Sequence, residues 1–210
     1  MVATGVPFAA AGGHPVDVRV TDVRDMDRRW GIPIVGVAVR AILALPHFVV
    51  LRVLEIGLAI WFLLGWIWIL AYGRVPALAV RLVTEYLQRS QRVAAYVGLL
   101  MPGAYPPLEP GPSAPAELTL QPESLEMNRL WGIPAVNWAF RFLALVPQII
   151  VLTFLAIAIL LTLLVLWIPI LADGRYPEWA ASFYGRTMRY VARVAAWAMF
   201  MPVRYPPIFP

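Results

Sequence analysis

Two apolar blocks, Trp30 to Tyr72 and Trp131 to Ala172, each run far past the roughly 20 apolar residues that one membrane crossing needs, and one is a copy of the other. Arg28-x-Trp30-Gly31-Ile32-Pro33 recurs as Arg129-x-Trp131-Gly132-Ile133-Pro134. Arg40 recurs as Arg141, Pro46 as Pro147, Trp66 as Trp167, and Arg92-Val93-Ala94-Ala95 as Arg193-Val194-Ala195-Ala196. Ile-Leu-Ala-x-Gly-Arg-x-Pro is written twice at the same spacing, and each copy closes on Tyr-Pro-Pro, at Tyr105 and Tyr205. The closing signature arrives one residue early in the second copy. Chance does not produce so many matches in one order, so the chain is a tandem duplication.

The duplicated blocks set the class of solvent. Apolar residues make up 61% of the chain and charged residues 14%, against roughly 45–50% and about 25% in soluble domains. A chain this small cannot bury that surplus, which points to lipid. Before each block the sequence alternates apolar and polar, Val16 to Val20 and Glu117 to Gln121, the period of a half-buried strand. Pro102 to Pro115 is rich in proline and glycine and reads as a linker. The expected organisation is a flexible segment over 1–15, a first membrane repeat over 16–107, a linker over 108–116 and a second repeat over 117–210. Met1 to Gly13 lacks the basic start of a cleavable signal.

Gly73 and Gly174 stand where the blocks stop, and glycine takes the left-handed conformation that ends a helix. Pro76 and Pro177 suit the first turn of a new helix. The G-R-x-P motif therefore predicts a corner at the membrane boundary. Arg74 and Arg175 sit at headgroup level there, with Trp66, Trp68, Tyr72 and Trp167 just inside as an aromatic belt. After the corner, Arg81, Glu85, Arg89 and Arg92 share one helical face, as do Arg186, Arg189 and Arg193. Such a helix lies in the interface, because sinking an arginine to mid-bilayer costs at least about 2.5 kcal/mol.

Each block has two readings. A helical hairpin with Pro46-His47 or Arg52 to Glu55 near its apex returns every arginine-rich segment to one side, cytoplasmic by the positive-inside rule, and is favoured on that ground. The competing reading, a single crossing per block with Trp30 to Leu45 lying flat and the final helix returning through the membrane, is favoured locally in the second copy, which has no polar turn between Phe154 and Ile170. The fold class expected is a mainly α integral membrane protein. Each of its two units holds a short juxtamembrane strand, a long apolar helix or helical hairpin, the corner and an interfacial amphipathic helix.

Groups that carry chemistry are scarce. There is no cysteine, and His14 and His47 have no second ligand at metal spacing, so no metal or cofactor is expected. All 17 basic residues are arginine, which excludes a P-loop and suits bidentate grip on phosphate. Arg40 and Arg141 lie inside the blocks. Neither Arg52–Glu55 nor Arg40–Glu85 pairing is repeated in the second copy, so snorkelling to lipid phosphate, or packing, is the reading that serves both, with a specific anionic-lipid site or a transport pathway as the alternatives. The candidate headgroup or partner contacts are Arg40, Arg74, Arg92, Arg141, Arg175 and Arg193. Anionic headgroups are nearer partners than nucleic acid.

The pattern Arg40 to Pro46-His47, a long apolar stretch, Gly73 to Pro76, Arg92 to Tyr96 and Tyr105 to Pro107 resembles bacterial membrane proteins of the domain of unknown function 4389 family. The second copy follows it with Gln148 for His47 and Trp197 for Tyr96. The resemblance implies a membrane location and brings no reaction. No nucleophile–base pair supports a lipid-acting enzyme. The expectation is a non-catalytic membrane protein, an accessory or scaffold contacting anionic phospholipids, a membrane protein partner or a second copy of itself. The alternative is a small transporter or channel subunit with a polar path by Arg40, Arg141, His47 and Glu55.

Overall fold

In a computed structural model of the chain, residues 14–20, 26–32, 35–98, 101–102, 105 and 116–207 are described. The expected N-terminal segment, but for His14 and Pro15, and the linker, but for Ala116, lie outside them. Among the described residues there are five α-helices and one strand pair. Strand β1 (Val16–Val20) and a 3-10 turn (Arg28–Gly31) lead into α1 (Val35–Leu43), α2 (Leu45–Tyr72) and α3 (Ala77–Val93). Strand β2 (Ala116–Leu120) and a second 3-10 turn (Arg129–Gly132) lead into α4 (Pro134–Asp173) and α5 (Glu178–Ala198).

The alternating approaches pair with each other. β1 and β2 run antiparallel with Val18 opposite Leu118. Val16, Val18, Ala116, Leu118 and Leu120 point into the core, while Arg19, Glu117 and Thr119 stay exposed. Two strands alone are marginal in water, so the ribbon depends on what lies beneath it. β1 packs on α5 and β2 on α3. Val80, Val83 and Leu87 of α3 and Tyr184, Met188 and Ala192 of α5 close that core.

The units exchange their entry segments. The first 3-10 turn packs on α4 and the second on α2, so each copy's lead-in completes the other copy. The fit is close: a Cβ on Gly132 would lie 2.5 Å from the Leu70 backbone nitrogen, which only glycine avoids.

The hairpin favoured from sequence does not form. Residues Pro134–Asp173 make one continuous helix of 40 residues, with Pro147 and Pro169 inside it, and in the first block α1 and α2 are separated by Ala44 alone. Pro46 falls in the first turn of α2, where a missing amide donor costs nothing, so it starts a helix instead of turning one. At Pro147 the Tyr205 hydroxyl donates to the Ala144 carbonyl at 2.7 Å, a polar support beside the interrupted ladder. Both long helices have the length and apolarity to span a membrane. Their outer faces, from Phe48 to Leu70 and from Val136 to Ile168, carry large exposed apolar side chains.

Candidate functional site

Gly73 and Gly174 end α2 and α4 at φ 64° and 66°, with their amides on the Ile69 and Ile170 carbonyls. Pro76 and Pro177 then precede α3 and α5 in extended conformation. The corners do more than turn the chain. The Gly73 carbonyl accepts the Met127 amide at 2.8 Å, and the Gly174 carbonyl accepts the Met26 amide at 3.0 Å. The Arg129 stem lies over Gly73 and the Arg28 stem over Gly174. Each corner is thus the dock for the other copy's lead-in. Arg74 and Arg175 remain exposed, and Arg74 bridges Glu126 through the backbone.

The later arginines on the charged faces of α3 and α5 turn to the protein, while Arg81 and Arg186 stay exposed. Arg193 donates from Nε to the Val16 carbonyl at 3.1 Å, and Arg189 pairs with Asp17 at 2.8 Å. Arg92 is buried, and burial lowers its pKa, reinforced by Arg89 and opposed by Glu117 and Glu85. Burial likewise lowers Arg193, with Asp17 opposing and Arg189 adding to the shift. A headgroup-facing arginine stripe and one that holds a strand leave the same sequence pattern, so periodicity could not tell them apart.

Arg40 and Arg141 also face protein. They are 2% and 6% exposed, against the snorkelling expected from sequence. Arg40 donates from Nη1 to the carbonyls of Tyr96 (2.8 Å) and Met101 (3.0 Å) and stacks over the Tyr96 ring. Arg141 donates from Nε to Asn137 Oδ1 at 2.8 Å and from Nη1 to the Trp197 carbonyl, among the rings of Trp131, Trp197 and Phe200. The acceptors lie at the C-terminal ends of the α3 and α5 helical runs, where unpaired carbonyls and the dipole favour a cation. The inward turn has a simple cause: carbonyls at a helix end keep acceptor capacity that the helix does not fill, the Trp197 oxygen taking Arg141 beside the Phe200 amide.

The neighbouring positions complete the closure. His47 is buried against the Tyr105 ring. Gln148 donates to the Pro206 carbonyl at 3.0 Å and accepts from the Tyr190 hydroxyl. Both side chains therefore meet the closing Tyr-Pro-Pro segment, His47 from the first turn of α2 and Gln148 from within α4. Arg52 and Glu55 form a surface pair at 2.8 Å. No group of metal-binding side chains occurs among the described residues.

Sequence reasoning passed over Asn137 altogether. It is buried beside Arg141, and a polar residue one helical turn before an arginine in an apolar block was the available signal. Two hollows meet at Arg141. One, of about 410 Å³, is lined by Glu126, Asn128, Trp131 and Arg204 among others. The second, of about 520 Å³, is almost wholly apolar.

These features define a helical protein of two interlocked repeats with two lipid-length apolar helices. The chain belongs to the family described as Domain of unknown function (DUF4389), which it matches twice, over residues 35–107 and 136–210. No curated protein and no solved structure matches it.

Proposed function

We propose that the protein is a non-catalytic integral membrane protein, an accessory or scaffold component that sets α2 and α4 in the hydrocarbon and presents a polar layer to anionic headgroups or to a membrane partner. The observation that carries this reading is the exposure of the long helices. In the most apolar window of each, only 22% (α2) and 6% (α4) of residues are buried, whereas a soluble core helix is covered on most sides.

The ribbon argues for which groups share a side. Arg19, Glu117 and Thr119 are exposed on it, and charge at mid-bilayer is costly, so the ribbon belongs in water. Both corners dock segments that flank this one ribbon, which favours Arg74 and Arg175 on the same face. By the arginine bias that face is cytoplasmic. A transport path finds less support, because Arg40, Arg141 and His47 are enclosed by protein.

Two experiments test the reading. In flotation on vesicles the protein rises with the lipid; protein left at the bottom of the gradient sinks the membrane proposal. Because the chain has no cysteine, Arg74→Cys and Arg175→Cys report sidedness directly. Both label with an impermeant thiol reagent from the cytoplasmic face, and labelling from opposite faces removes the shared-side arrangement.

A further inference from the structure

Arg141 has binding capacity that the protein does not use. Its Nε and Nη1 are taken by Asn137 and the Trp197 carbonyl, but Nη2 has no hydrogen-bond partner among the described residues. Among those residues no carboxylate pairs with it; the groups against it are neutral oxygens and aromatic faces. The adjacent Asn137 is 1% exposed, and its Nδ2 is buried without a partner. Buried donors are nearly always satisfied, and a buried charge is normally paired. An unspent donor on an unbalanced guanidinium, at a position that lines both hollows, is what a bound oxyanion would complete.

The hollows on either side indicate which oxyanion. The apolar groove is lined by Phe62, Trp138, Ala139, Phe142, Leu145 and Phe200, with Arg141 at its edge. The other cavity is polar, and Arg204 and Glu123 in its wall pair with each other at 2.5 Å. Glu126 stands in the same wall, and its carboxylate disfavours a multiply charged head. A polar chamber and an apolar channel meeting at one cation fit an amphiphile with a singly charged head. The first copy has no such arrangement: Gly36 stands where the second has Asn137, and Arg40 spends Nη1 on two carbonyls.

We propose that the second repeat holds one membrane phospholipid, its phosphodiester on Arg141 Nη2, with Asn137 fixing that guanidinium through Nε, and one acyl chain in the groove of Phe62, Phe142 and Phe200. This rests on the membrane reading for the supply of lipid, and flotation separates the two. Protein that does not float undermines that reading, while floating protein without the behaviour described next overturns this one alone.

The test is native mass spectrometry of the whole protein, extracted in mild detergent and titrated with phosphatidylglycerol. Wild type retains one lipid. Asn137→Ala, which keeps Arg141, weakens retention about tenfold, and Ala139→Trp, which fills the groove, does the same with its unfolding temperature unchanged. Arg40→Gln retains the lipid as wild type does. Inorganic phosphate at equal concentration leaves the adduct in place. Displacement by phosphate alone identifies a free-anion site and overturns the lipid assignment. Equal retention in Asn137→Ala and Ala139→Trp overturns the site.

Discussion

The two copies end their final helices differently, and one residue makes the difference. In the second copy α5 stays α-helical to Ala198 and stops with Phe200 left-handed at φ 63°. Met201 then donates to the Ala196 carbonyl and Phe200 to that of Trp197, the paired bonds of a Schellman stop. In the first copy α3 widens into a π turn over Ala94–Gly98, and Met101 reaches back to Ala95. Ala95 and Ala196 are equivalent, as are Met101 and Met201, so the first copy carries one residue more between them. A π bulge is how a helix absorbs one extra residue. Both routes deliver Met101 and Met201 to buried positions and present a helix-end carbonyl to Arg40 or Arg141. The end point is held while the path is free.

That comparison can be broken or sharpened by substitution. The largest effect belongs to Gly132→Val, which drives a side chain into the α2 backbone. We expect a loss of about 3 kcal/mol, read as a lowered thermal midpoint in detergent. Next comes the arginine pair. Arg40→Met removes the donor from two buried backbone carbonyls, whereas Arg141→Met takes it from the Asn137 side-chain oxygen and from a Trp197 carbonyl that keeps the Phe200 amide, so the first costs about 3 kcal/mol and the second about 1–2 kcal/mol. Equal losses in denaturant titrations contradict the different bonding of the two copies. At the corners the copies agree. Gly73→Ala and Gly174→Ala each force a Cβ into the left-handed region and should cost the same, about 1–2 kcal/mol.

Smaller effects bear on the details. Deleting Gly98 gives the first copy the length of the second, so the π turn relaxes to a plain α stop for less than about 1 kcal/mol. A loss several times larger shows that the bulge itself is required. The gentlest probe is pH. The Val16 amide donates to His14 Nδ1 at 3.1 Å, and burial, then Arg193, lowers the pKa of His14 from about 6.5. The folded state therefore favours the neutral ring. Its contribution is intact above about pH 6.5 and declines as pH falls through the lowered value. His14→Gln should flatten the acid limb of the unfolding midpoint against pH; an unchanged limb assigns it to other groups.

Much of this was legible in particular residues. Gly-Arg-x-Pro announced its corner because glycine and proline have narrow conformational uses, and Val16, Val18, Leu118 and Leu120 announced their strands by alternation. What stayed hidden was the partner of each face. Periodicity reports that one side of a segment is buried, not which segment covers it, so nothing in β1 pointed to α5. The arginines misled for a related reason: a headgroup phosphate and a helix-end carbonyl are both oxygen acceptors, and Arg40 and Arg141 suit either. Pro46 misled because proline opens helices as readily as it bends them.

The exchange of lead-ins bears on how the chain is made. The corner at Gly174 is made long after Met26, yet it closes on that residue. Strand β1 must wait for α5 to be made, and contacts that close such long loops slow folding. A chaperone or the membrane surface has that interval in which to hold β1 apart from other edges. A protein with only one such repeat would meet the same need by lending its lead-in to a second molecule, and would mature as a pair.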